Sequence, residues 1–303
     1  MTTNVGDSAA GSRPWATVVR ALSVVPMALL LMSWFGLGQH AQAFGAVVVS
    51  AADRARMDAA LAAAGPEQRA YIGKAIAVGH SANEVVRFAE AIRGKEAGWL
   101  RTHLSLIDPS GTGGVSYHGS ELRQIDDTTC GSTSLLVARA MADPLYDLYL
   151  TTGDSTDPAA ATAAQFQARV AAEERRIHAA TNLLWPESLG TSPWGVSGEL
   201  NRHVGVTETR YGTRLVDGTH GGRINRALRD AVAAVDSGQP VPVLIGDLLP
   251  HHYVLMVGHR DSDLLFYDPG YAEVVVVSEQ AFLTGDLSTL GYRHLMAVIT
   301  PSR

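Results

Sequence analysis

The chain carries a single cysteine, Cys130, and it stands where a thiol can serve as a nucleophile. It lies in Thr128-Thr129-Cys130-Gly131-Ser132, directly before an apolar run, Ser132 to Ala142, that predicts a helix. A thiol at a helix N-terminus feels the positive end of the helix dipole, which favours the nucleophilic thiolate. The small neighbour Gly131 leaves room for a substrate carbonyl. Free cysteine is also among the most often buried residue types, so position alone leaves a structural role equally open.

Two downstream residues supply what a thiol nucleophile needs. Pro250-His251-His252-Tyr253 puts a histidine at the mouth of an apolar strand, Tyr253 to Val257. A second strand, Leu264 to Tyr267, ends in Asp268-Pro269-Gly270. The polar turn Arg260-Asp261-Ser262-Asp263 predicts antiparallel pairing, which brings His252 and Asp268 to the same edge of a sheet. His252 can then exchange protons with Cys130 while Asp268 fixes its tautomer and stabilises the imidazolium. The plainer readings are a half-buried strand-end histidine and an aspartate that only forms the turn. Of the rival histidines, His259 belongs at the far end of its strand and His251 has the opposite side-chain parity. Gln124, six residues upstream of Cys130, completes the set. Its amide can donate to a developing oxyanion beside the Cys130 N–H; away from a thiol it would be ordinary polar surface.

The elements that must position these residues read as helices first and strands last, an α+β pattern without internal repeats. Ala51 to about His103 is helical, with Pro66 at a helix start, a capping box at Ser81-x-x-Glu84 and Gly94 as a C-cap. This segment is expected to be a helical extension, either a spacer packed on the main domain or a pro-segment that blocks the site until export. Asp108-Pro109-Ser110-Gly111-Thr112-Gly113-Gly114 reads as a boundary loop; it lacks the Lys-Ser/Thr pair of a phosphate loop. Further helices are expected at Pro158–Asn182, with Glu173, Glu174, Arg175 and Arg176 on its solvated side, at Ser192–Arg202 and at Ile224–Val235. Strands are expected at Val241–Ile245, Tyr253–Val257, Leu264–Tyr267, Val274–Val277 and His294–Ile299.

Composition sets the outer bounds. The 303 residues are 46% hydrophobic and 18% charged with a net charge of −6, which excludes a mostly disordered chain and gives no electrostatic footprint for nucleic acid. One cysteine excludes an internal disulfide framework and cysteine-rich metal sites. Neither a Gly-x-Ser-x-Gly elbow nor a His-Glu-x-x-His zinc motif occurs. Arg13 and Arg20 precede the apolar run Ala21 to Leu37, and Ala41-Gln42-Ala43 follows as a small-x-small exit. That order predicts a secretory signal peptide over residues 1–43, with an uncleaved membrane anchor through residues 21–37 as the rival. Both place the remainder outside the cytoplasm.

The spacing Gln124-(x)5-Cys130-Gly131, a following helix, His252 before an apolar strand and Asp268-Pro269 after the next resembles the papain-like cysteine peptidases. Among these it is most similar to the bacteriocin-processing (double-glycine) peptidase-like group, which Gly238-Gln239-Pro240-Val241-Pro242-Val243-Leu244-Ile245 also fits. The resemblance covers roughly Leu122 to Ile299 and rests on short motifs. It implies a papain-like fold, with a helical half carrying the cysteine and an antiparallel sheet carrying His252 and Asp268. It further implies Cys130 as nucleophile, His252 as base, Asp268 as orienter and Gln124 in the oxyanion hole, acting on a peptide or peptide-like substrate with no metal or organic cofactor. Thr129 stands where the group often has Asp. The long interval from Cys130 to His252 suggests a helical insertion around residues 151–219, shaping or covering the cleft. The chain thus divides into residues 1–43, a helical extension over 44–103 and a papain-like domain over 104–303. The expected function is an exported cysteine hydrolase cleaving an amide through an acyl-thioester. A transglutaminase-like acyltransferase shares the Cys…His…Asp order but leaves Gln124 unused. An inactive secreted binding module of the same fold would show a buried Cys130, or one beyond hydrogen-bond reach of His252.

Overall fold

The computed structural model describes residues 49–155, 157–182, 190–204, 209–216 and 221–302. The expected signal peptide or anchor lies outside them, and among the described residues no helix is long and apolar enough to cross a membrane. Four helices come first: α1 (Ala51–Ala63), α2 (Pro66–Val78), α3 (Ala82–Ala91) and α4 (Ala97–Leu104). Pro66 opens α2, and Ser81 and Glu84 close the capping box at the start of α3. Helix α3 ends at Ala91 with Ile92 as its cap, so Gly94 falls just beyond it in a left-handed turn. Met57, Ile72, Val85, Phe88, Ile92, Leu100 and Leu104 form the core of the four helices, which Leu148 from further along the chain also enters.

The rest is α+β. Short strands β1 (Gly113–Gly114), β2 (Ser116–Tyr117) and β3 (Ser120–Glu121) lead to α5 (Cys130–Ala142), α6 (Pro144–Thr152), α7 (Ala163–Thr181) and α8 (Pro193–His203). Strand β4 (Arg210–Leu215) and α9 (Gly221–Asp236) precede β5 (Val241–Gly246), β6 (Pro250–Arg260), β7 (Asp263–Asp268), β8 (Glu273–Ser278), α10 (Glu279–Thr284) and β9 (His294–Ser302). The strands form an antiparallel sheet in the order β1-β8-β7-β6-β5-β9-β4, with β2 and β3 as a separate pair. Gly113-Gly114, expected as loop, is therefore an edge strand paired with β8.

Alternation along the strands builds two cores. Tyr253, Leu255 and Val257 of β6 pack with Leu135, Leu136 and Val137 of α5, Phe166 and Val170 of α7, and Val196 of α8. Val254 and Met256 face Ala227 and Ala231 of α9 and Phe282 of α10. The segment expected as an insertion is woven into the first core through α7, α8 and Tyr211 of β4, whose strand pairs with β9. One expectation fails on α7. Glu174 is not solvated: it is fully buried, although Arg175 and Arg176 beside it are exposed. Wound onto the helix, these neighbours lie about 100° apart, so a run of four charges cannot share one face.

Candidate active site

Helix α5 starts two residues earlier than expected, at Cys130 itself, with Thr129 as the residue before it. Thr129 does not cap the helix by its side chain. Its hydroxyl instead donates to the Asp126 carbonyl (3.1 Å) and accepts from the Asp126 N–H (3.2 Å), closing the turn that delivers the cysteine. The first-turn N–H groups are left without a side-chain acceptor, so the positive end of α5 is open to an anion at Cys130.

The sheet delivers the other two residues by register. Leu255 pairs with Tyr267 across β6 and β7, so His252 and Asp268 lie on one face at the same end of the strand pair. His252 Nε2 and Asp268 Oδ1 are 2.8 Å apart. The same Asp268 oxygen accepts from the Gly270 N–H at 2.8 Å, which locks the carboxylate in the Asp-Pro-Gly turn. Cys130 lies close enough to His252 to act on its ionisation. Burial lowers the imidazole pKa, but hydrogen bonding to Asp268 and Cys130, together with their charges, outweighs it and raises the value to about 9. With Nε2 held by Asp268, Nδ1 is the ring nitrogen left for the thiol.

Gln124 is brought to the same cluster. Its backbone N–H donates to the Pro269 carbonyl (3.0 Å), one residue past Asp268. Its Nε2 donates to the Asp126 carbonyl at 2.7 Å, and its buried Oε1 has no hydrogen-bond partner. The amide expected in the oxyanion hole thus spends one of its two N–H groups in the loop and keeps the other as a donor. Gly131 also differs from expectation. A Cβ at this position would come within 2.5 Å of the Thr191 side chain and 3.1 Å of the Tyr253 ring, so packing fills the space reserved for a substrate carbonyl.

The rival histidines are elsewhere. His259 lies 3.3 Å from Asp236 and 3.6 Å from Glu279. His251 meets Tyr292 edge to face, and the Tyr292 ring also lies 5.8 Å from that of His252. Tyr292, Thr191 and Tyr253 escape a reading of the sequence, because no motif or period marks a residue whose neighbours come from distant segments. Cys130 is 3% exposed and His252 side chain 12%. Leu248 and Leu249, just before the His252 strand, and Tyr271, just past Asp268, are exposed. Among the described residues no group of three or more His, Cys, Asp or Glu is placed to hold a metal ion. Comparisons with protein-family models and with curated proteins return no match to the chain.

Proposed function

We propose that the protein is an exported or membrane-anchored cysteine hydrolase of papain-like architecture that cleaves an amide bond in a peptide. The observation that carries this reading is the His252–Asp268 hydrogen bond of 2.8 Å with Cys130, at an uncapped helix start, against the same imidazole. Cys130 Sγ attacks the scissile carbonyl carbon, and the carbonyl electrons move to oxygen. His252 passes a proton to the leaving amine as the C–N bond breaks, giving an acyl-thioester. Water then attacks the thioester, His252 takes its proton, and the acid departs as the thiol is restored. Asp268 holds the ring through both halves. The Cys130 N–H and the Gln124 amide are the donors for the oxyanion. The exposed Leu248, Leu249 and Tyr271 beside the pair suit peptide side chains better than a glycan.

One observation favours a second reading, an inactive binding module: the burial of Cys130. Iodoacetamide labelling separates the two. A catalytic Cys130 is alkylated near pH 6 at least about tenfold faster than a free thiol, and His252→Ala removes the advantage. Slow labelling indifferent to His252→Ala would refute the hydrolase reading. The export expectation has its own check. Secreted material begins at Phe44 by N-terminal sequencing if the signal is cleaved after Ala43, and a retained residue 1 in the membrane fraction identifies the anchor.

A further inference from the structure

The buried carboxylate of Glu174 is used by no step above, yet it touches the segment that sets the site. That segment is tied on its sheet side residue by residue. The Tyr267 hydroxyl donates to the Leu122 carbonyl, Arg123 Nε to the Gly270 carbonyl (2.8 Å), and the Gln124 N–H to the Pro269 carbonyl (3.0 Å). The next N–H, that of Ile125, turns to the helix side and donates to Glu174 Oε2 at 3.0 Å. From Asp126 the turn closes through Thr128 and Thr129 into Cys130. We propose that Glu174 is a positioning residue: its carboxylate clamps Ile125 and so holds Gln124 and the start of the Cys130 helix in register with His252 and Asp268. This rests on the hydrolase reading for its purpose, but not for its geometry.

Position and charge support this assignment. Glu174 is fully buried, and its Oε1 has no hydrogen-bond partner. A carboxylate so placed is expensive, and an amide, which keeps an oxygen for the Ile125 N–H without a buried charge, would fold more stably there. Burial raises its pKa from the ordinary carboxylate range to about 7. The Ile125 N–H and Thr133 of α5 oppose that rise, Asp126 adds to it, and Arg175 opposes it weakly. Tyr267 faces it from the sheet and is held neutral by its own burial. Near neutrality the clamp therefore passes between a charge-assisted acceptor and a weaker neutral one.

Glu174→Gln keeps an oxygen for the Ile125 N–H and removes the titration; Glu174→Ala removes both. The measurement is the rate of Cys130 alkylation by iodoacetamide across pH 5 to 9, with hydrogen exchange of the peptide containing Ile125. The wild type should show a step in rate near pH 7 that Glu174→Gln lacks. Glu174→Gln should keep exchange protection and melt at a higher temperature than wild type at pH 8. Glu174→Ala should lose that protection and slow labelling at least about fivefold. A pH 7 step that survives in Glu174→Gln overturns the proposal, as does a Glu174→Ala protein with wild-type labelling and exchange. If Glu174→Ala fails to fold, Glu174→Gln alone decides. Failure of the hydrolase reading looks different: labelling indifferent to His252→Ala, with the Ile125 protection pattern unchanged.

Discussion

Burial alone would make His252 give up its proton below neutrality. Asp268 and Cys130 reverse this and keep the ring an imidazolium up to about pH 9. The proton is then in place for the leaving amine, and a hydrolase built this way should lose kcat/KM as pH rises through about 9. Asp268→Ala strips away the hydrogen bond that raises the imidazole pKa most. Its pH–rate profile should have the upper limb moved toward neutrality, with kcat/KM down by about 100-fold or more. An upper limb that stays in place would show that Asp268 does not set the ionisation. The raised pKa also adds stability that is complete below pH 6.5 and is lost as pH climbs through about 9. Cys130, His252 and Asp268 were legible in the sequence because each stands at a point where a local rule acts: a helix start, a strand mouth, a turn. Glu174 was not, since its burial depends on which face of α7 the fold turns inward, and the Ala-rich helix gives little apolar contrast to reveal that face.

At the scale of elements, the start of α5 is gripped between two distant segments. Thr191, just before α8, and Tyr253 of β6 both press on Gly131. Gly131→Ala should therefore displace the first turn of α5, costing about 1–3 kcal/mol, and slow Cys130 labelling. Adding Thr191→Gly removes the two nearest atoms that the new Cβ would meet and leaves only the Tyr253 ring at 3.1 Å, so the double variant should recover part of the loss by thermal melt. An unaltered melting temperature in Gly131→Ala would show that this contact relaxes freely. The strands that carry the site were readable because Val, Leu, Ile and Tyr dominate them. Strand β4, Arg-Tyr-Gly-Thr-Arg-Leu, was not, since it is a sheet edge whose strand state comes from pairing with β9 rather than from its composition. The same difference explains α6: Pro144 and Asp143 mark its start clearly once the helix before it is known to end there, but the apolar run through Ala142 hides the break.

At the scale of the whole molecule, the question is how the four-helix extension is joined to the domain that carries the site. Leu148 of α6 enters the extension's core, with Leu145 packed against it. Nearby, His80, just past α2, meets Asp143 at 2.8 Å. Asp143 both ends α5 and caps α6. The junction thus lies at the opposite end of α5 from Cys130, about 20 Å along a helix of 13 residues. Its place there argues for a brace on the back of the nucleophile helix rather than a plug over the nucleophile. The bond to Asp143 raises the His80 pKa against burial, with Glu84 at 3.7 Å adding to the rise and Arg139 opposing it. A raised histidine pKa contributes stability that is complete below pH 6.5 and fades as pH rises through the folded value. His80→Gln should therefore lower the melting temperature by several degrees at pH 6, corresponding to about 1–2 kcal/mol, and by less at pH 9. An equal loss at both pH values would mean that the pair works as a neutral hydrogen bond. Cys130 labelling should change little in this variant, because the brace is a helix length away from the thiol; a matching fall in labelling would instead make the extension part of the site's control.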